Sequence, residues 1–400
     1  MSQSLNPPLD HLVVACLFLL LFLGLADNQT IPALLPMLGA SLGTNVAVTG
    51  LLVVFYSLAA ALAAFLIGSL SDHYGRRRFL QVGVVVFALA SWLSAHSDNF
   101  TELAVARTLT GLAAGSLSTC SIAFAGDWFP YEVRGKAIGW ISSAYFLALV
   151  AVPGVAVVAT HFGWRRAFWV EALLACLVAG ASLALPRDHV TRQSETHRIA
   201  NTLKAFHSFL VRRDTSAMLM AGFLASGGMV GFITYIGQWL HLRFGLSTPA
   251  IGWVLMLGGV TAGGVSPLGG AASDRLGKRA VSIGSSVVLA VSLVLLPLLF
   301  WGLLLLAVFV AVSIAAGFRQ GPLTALVTEM VPGPNRGSFV ALRNICSQLG
   351  ISATVSIGGL LYQRMGYAAV TLLCALMSAG VAILLTTRII EPHAAVEPAG

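Results

Sequence analysis

Gly68-Ser-Leu-Ser-Asp72-His-Tyr-Gly75-Arg76-Arg77-Arg78 is a charged turn between two long apolar runs, and 202 residues later the chain writes it again as Gly270-Ala-Ala-Ser-Asp274-Arg-Leu-Gly277-Lys278-Arg279. The offset persists, because Gly115, Pro130, Arg134 and Gly135 return as Gly317, Pro332, Arg336 and Gly337. Two apolar stretches that share a punctuation at fixed distance read as a duplicated membrane unit, two parallel halves of six helices each.

Composition agrees. Of 400 residues 57% are hydrophobic and 10% charged, with a mean hydropathy of +0.88; soluble domains carry about 25% charged residues. Apolar runs long enough to cross about 30 Å of hydrocarbon fall at 11–37, 47–70, 79–96, 101–126, 136–159, 166–185, 215–241, 250–272, 280–299, 302–328, 338–361 and 367–387. The 41 glycines suit membrane helices that pack closely. These runs predict a first bundle over 1–186, a linker over 187–213 and a second bundle over 214–400.

A net charge of +8 invites nucleic acid as a partner, and the placement of the 23 Lys and Arg removes that reading. Sixteen lie in the even-numbered turns and the tail, four (Arg165, Arg166, Arg243, Arg364) on the opposite face, and three (Arg107, Arg319, Arg343) within spans. This is the positive-inside asymmetry, so both termini are expected in the cytoplasm, beneath a bacterial-type inner membrane. No Lys or Arg precedes the first run, which carries Asp27-Asn28-Gln29, so it reads as a retained first helix rather than a cleaved signal. The five cysteines have no paired spacing, and no metal or disulfide framework follows from them. In the linker, Leu203, Phe206, Phe209 and Leu210 recur at helical spacing beside basic residues; an amphipathic helix on the inner leaflet and a solvated tether both fit.

The first turn resembles the signature between helices two and three of the major facilitator superfamily, at Gly68, Asp72, Gly75, Arg76, Arg77 and Arg78. Arg107-x-x-x-Gly111-x-x-x-Gly115, Arg134-Gly135-x-Ala137-x-Gly139 and Gly163-Trp164-Arg165 carry the resemblance along the whole chain. It implies an all-α polytopic membrane protein of twelve transmembrane helices in two parallel six-helix halves. It also implies that the turn is a conformational latch, pairing with the other half in one state of a rocking cycle, with Asp274, Arg134 and Arg336 as further members. In drug antiporters of the family, the arginine that Arg107 resembles is associated with proton transfer. Val152 before Pro153 departs from the antiporter branch, where a glycine usually stands.

Charge inside a membrane span is costly and marks function by default. At 1.5 Å per residue, Asp27 lies about 24 Å from the inner end of its span, Arg107 about 9 Å and Glu171 about 8 Å from the outer ends of theirs, which is one level of the bilayer. Such a cluster suits proton coupling, with Asp27 as carrier beside the carbonyl that Pro32 frees and Asn28 and Gln29 facing the path; a static ion pair that only holds helices together is the plainer reading. In the second half, Arg319 and Arg343 are accompanied by Gln320 with Thr324 and Asn344 with Gln348, i,i+4 pairs that form polar stripes. They suit an anionic substrate, unless Glu329 neutralises one arginine or Arg343 snorkels to the inner surface.

The chain is therefore expected to export a small molecule, drug or metabolite, in exchange for protons, acting as a monomer in the lipid bilayer without a cofactor. No Gly-x4-Gly-Lys-Ser/Thr loop is present to let ATP drive it directly. A symporter or facilitator for an organic anion is the rival reading. A sensor with the same fold lacks a tail large enough to signal, and an enzyme lacks a nucleophile with its base at one depth.

Overall fold

The computed structural model describes residues 10–186, 204–331 and 333–389; the side chains at 68, 69, 72, 73, 131, 132, 135, 146, 328 and 333–337 lie outside that description. Short polar caps cut the apolar chain into helices. Asp10 and Asn45 each accept the backbone N–H three residues on and start α1 (His11–Leu42) and α2 (Val46–Tyr74). Gly75 turns at φ 94°, and α3 (Arg76–Ala95) begins at once. Asn99 caps α4 (Phe100–Trp128), while Glu102 reaches back to the Asp98 amide.

The fifth span breaks at Ser143 into α5 (Tyr131–Ser142) and α6 (Ala144–Phe162), and α7 (Trp164–Ser182) closes the first six. A helix whose described part is 204–211 (α8) precedes α9 (Arg213–Phe244), α10 (Thr248–Leu276), α11 (Lys278–Leu295), α12 (Leu303–Glu329), α13 (Gly333–Met365) and α14 (Tyr367–Thr387). The twelve expected spans are all present as helices. Eleven are long and apolar enough to cross a membrane by length and composition. The other is α7, whose 19 residues carry Arg165, Arg166 and Glu171.

The offset of 202 seen in the sequence recurs in geometry. Gly43 and Gly245 end α1 and α9 at φ 61° and 68°, and Gly75 and Gly277 turn at φ 94° and 90°. Gly115 packs on the Ala60 carbonyl of α2, and Gly317 on the Ala262 carbonyl of α10. Arg76 pairs with Asp127 at 2.8 Å as Lys278 pairs with Glu329 at 2.6 Å. Arg77 donates to the Leu183 carbonyl and Arg279 to the Leu385 carbonyl, both at 2.8 Å. In each copy the basic turn is thus tied to the ends of the fourth and sixth spans of its own half.

Three apolar cores show how the halves sit. Ile31, Leu34, Leu38 and Leu52 of the first half share one buried cluster with Phe232, Tyr235, Trp239 and Ile251 of the second. All lie toward the end of the bundle opposite the termini, here the far side. On the termini side the cores are separate, Leu17, Leu20, Leu80 and Leu117 in one half and Met218, Leu323, Phe339 and Leu385 in the other. Across the far-side seam α2 meets α13 and α6 meets α10, with Gly237 against the Pro32 carbonyl, Gly252 against Pro153 and Gly359 against Ala47. A cavity of about 940 Å³ lies on the termini side, lined by Val14 and Phe18 of α1, Lys136 and Trp140 of α5, Leu147 of α6 and Val260 of α10.

The linker helix α8 is amphipathic, and the protein itself takes up its apolar face. Phe209 is 5.1 Å from the Phe339 ring in the second half, Phe206 is 6.1 Å from Phe65 in the first, and Leu210 stays exposed. Leu203 lies outside the described residues.

The charge asymmetry fixes the expected orientation of these two sides. In a cysteine-free background, Lys204→Cys on α8 should resist an impermeant thiol reagent added to intact cells, whereas Ser247→Cys, exposed between α9 and α10, should react. Reaction of both from outside would reverse the assignment.

Candidate functional site

Small residues let three helices of the first half close on one point. A Cβ at Gly24 of α1 would stand 2.8 Å from the Ala114 Cβ of α4, and Gly111 of α4 lies against the backbone of Tyr56 in α2. Arg107 is one turn before Gly111 on the same stripe, so the crossings that bring the helices together also aim its side chain between them. Its Nη1 donates to Asp27 Oδ1 at 2.5 Å, with the two side chains 0% and 1% exposed. The guanidinium carbon sits 5.0 Å from the centre of the Tyr56 ring, and the Tyr56 hydroxyl donates to the Gly24 carbonyl at 2.9 Å. Glu171 of α7 completes the group, in side-chain hydrogen-bonding reach of Asp27 and within the field of Arg107.

The hydrogen bonding of the cluster is incomplete. Asp27 Oδ2 and both Glu171 oxygens are buried without a hydrogen-bond partner, as are the side-chain oxygen of Asn28 and the Nε and Nη2 of Arg107. Two ionised carboxylates accept only and cannot bond each other, whereas a carboxylic acid O–H can donate to a carboxylate. A single proton between Asp27 and Glu171 supplies a bond between the two acids. It also brings the net charge of the two acids and Arg107 from −1 to zero.

The depth estimate from the sequence placed Asp27, Arg107 and Glu171 at one level, and the structure brings all three together. Sequence alone gives no reason to single out Tyr56, since an aromatic in an apolar run is ordinary core; its buried hydroxyl bond and its ring against Arg107 are visible only in three dimensions.

In the second half Arg319 is buried and donates through Nη2 to the Ala225 carbonyl of α9 at 3.3 Å. Arg343 does not snorkel to the surface: its stem lies along Gly222 of α9, and its Nε is buried. Glu329 is not their counterion, because it pairs with Lys278. Gln320, Thr324 and Asn344 are exposed and Gln348 is half-buried. Exposure of polar groups in the middle of apolar helices is what a wet path requires.

Of the turn residues, Arg78 and Asp274 are exposed, and Arg134 Nε donates to the Phe129 carbonyl at 3.1 Å. The side chains of Gly68, Asp72 and Arg336 lie outside the described residues. No group of three or more His, Cys, Asp or Glu able to hold a metal occurs among the described residues.

Removing one partner of a buried pair strands the other as an unpaired charge, a loss of about 3–5 kcal/mol. Arg107→Ala should lower the unfolding midpoint of the purified protein accordingly, and Asp27→Asn added to the same chain should restore most of it. Equal stability of Arg107→Ala and parent would show that the pair carries no such load.

The Major Facilitator Superfamily model matches residues 17–263 and 218–400. An MFS-type transporter of Bacillus subtilis (strain 168) is 27% identical over 355 residues, covering 88% of this chain and 85% of the relative. A chloramphenicol efflux pump of Mycobacterium tuberculosis (strain ATCC 25618 / H37Rv) is 30% identical over 342 residues, 81% of this chain and 79% of the pump. Among solved structures, a D-xylose-proton symporter superposes with a TM-score of 0.80 at 17% identity, covering 95% of this chain and 98% of the symporter. With the duplicated six-helix halves and the turn signature in place, the chain belongs to the major facilitator superfamily of transporters.

Proposed function

We propose that the protein exports a small molecule in exchange for protons, the halves 1–186 and 214–400 rocking about the path between them. The observation that carries this reading is the buried Asp27–Arg107–Glu171 cluster, two acids against one base, whose charge is balanced by one proton. With that proton the cluster is neutral and stable in a dry environment; without it a net negative charge is buried, which favours any rearrangement that admits water. Proton occupancy and conformation are then linked, as coupling requires. Export is supported by the likeness to a chloramphenicol efflux pump.

With the termini placed in the cytoplasm, the shared far-side core and the separate termini-side cores describe an inward-facing arrangement. Asp72, with Gly68, Gly75 and Arg76 to Arg78, is proposed as the latch that holds one state, and Asp274, Arg134 and Arg336 as its counterparts. A second reading, proton symport or facilitated passage of an organic anion, is favoured by Arg319 and Arg343, which have no acid beside them among the described residues. It changes the direction of movement and leaves the proton site in place.

Two substitutions test these roles. Asp27→Asn keeps size and hydrogen bonding but removes the titratable proton. In proteoliposomes it should abolish substrate accumulation driven by a pH gradient while sparing substrate binding, and uphill transport with unaltered pH dependence would remove Asp27 from the coupling step. Asp72→Asn should shift the inward-to-outward ratio about tenfold, the effect of a contact worth about 1.4 kcal/mol. Spectroscopic distances between labels on the two halves measure that ratio, and identical populations in variant and parent would end the latch reading.

A further inference from the structure

Arg319 and Arg343 converge on one turn of α9. Arg319 reaches the Ala225 carbonyl, and Arg343 lies along Gly222, where an added Cβ would come within 3.2 Å of its Cγ and 3.3 Å of its Nε. Gly222 and Ala225 are three residues apart, so the Arg319 guanidinium and the Arg343 stem rest on the same face of α9. Both arginines stand ten residues from the termini-side ends of their helices, Glu329 of α12 and Gly333 of α13, a depth of about 15 Å. They therefore lie toward the side on which the halves are apart, and Tyr145 of α6, from the opposite half, is within electrostatic reach of Arg343.

The described acids are spoken for elsewhere. Asp27 pairs with Arg107, Asp98 with Arg165, Asp127 with Arg76, Asp214 with Arg212 and Glu329 with Lys278. Asp10 caps α1, Glu102 closes the cap of α4, Glu171 faces Asp27 and Asp274 is exposed at the end of α10. Asp72 and Glu132 lie outside the described side chains, at termini-side turns. A guanidinium carries five donors, yet Arg319 Nη1 and Arg343 Nε are buried with no partner.

Helix packing alone does not call for this. A carbonyl in mid-helix already has its backbone bond, and two neighbouring cations raise each other's cost in a medium of low dielectric. An anion between them removes both penalties, and the planar fork of arginine matches a carboxylate in two parallel bonds.

We propose that Arg319 and Arg343 are the charge-recognising part of the cargo site, and that the cargo is a small organic anion held through a carboxylate by the two guanidinium groups. The proposal rests on the transporter reading and holds for either direction of transport. A lipid phosphate offers similar chemistry, and the test separates the two sources.

The full chain, purified into nanodiscs of zwitterionic lipid with no gradient, is titrated with benzoate, succinate and glucuronate, and with benzamide as the uncharged control, while its unfolding midpoint is followed. Recognition of the carboxylate itself means that all three anions stabilise the parent at millimolar concentration and benzamide does not. Arg319→Gln and Arg343→Gln should each weaken the apparent affinity at least about tenfold and raise the midpoint of the anion-free protein. Gly222→Ala, which keeps both charges and displaces Arg343, should weaken anion binding by itself. A lowered anion-free midpoint in both Gln variants would make the arginines structural pegs. Stabilisation by anionic lipid but by no soluble carboxylate would assign the pair to a headgroup, and no stabilisation by either would overturn the site. Binding is read at equilibrium, so a failure of the proton-coupling reading leaves the result intact.

Discussion

Inside an apolar bundle a charge needs an opposite charge, a proton or a ligand. That requirement organises the middle of this protein. In the first half it is met by Arg107 against Asp27, with Glu171 added so that the balance closes only when a proton is present. The glycines at 24 and 111 serve the same end, since a pair this tight forms only if α1, α2 and α4 approach closer than side chains normally allow. In the second half the same requirement stands open around Arg319 and Arg343. The two halves thus match at the turns and differ where charge is buried.

Much of this is legible in the chain. The span pattern follows from hydropathy because the membrane leaves helices as the economical way to satisfy a backbone. The twin turns announce the repeat because the glycine and the basic residues perform local tasks there, a positive φ and bonds to nearby helix ends. Depth could be counted along each helix, so Asp27, Arg107 and Glu171 could be brought to one level before any coordinates were known.

What was not legible depends on azimuth and on partners from distant helices. Tyr56 has no sequence signal, because burial of its hydroxyl on the Gly24 carbonyl depends on how α2 rolls against α1. Glu329, at the end of its span, looked able to neutralise one of the arginines, yet it turns to Lys278 of α11. The linker helix had the pattern of a surface-lying amphipath, and its phenylalanines found rings in both halves instead. The charge-poor criterion for a span also misses α7, whose two arginines lie at its end while its acid lies inside the bundle.

The constancy of the 202-residue offset bears on how such a chain drifts. Equivalent positions keep it from Gly43 and Gly245 through Leu183 and Leu385, so any difference in length between those points is offset within the same half. One slip is visible: Gly163 and Gly366 take the same left-handed turn one residue out of step, after the span that breaks at Ser143 in the first copy and runs unbroken in the second. A helix that must cross a fixed thickness and enter the next through a single glycine has little slack to absorb a gained or lost residue. Substitution is therefore the readier route for new specificity within the bundles, where a change of length has to be offset before the half ends.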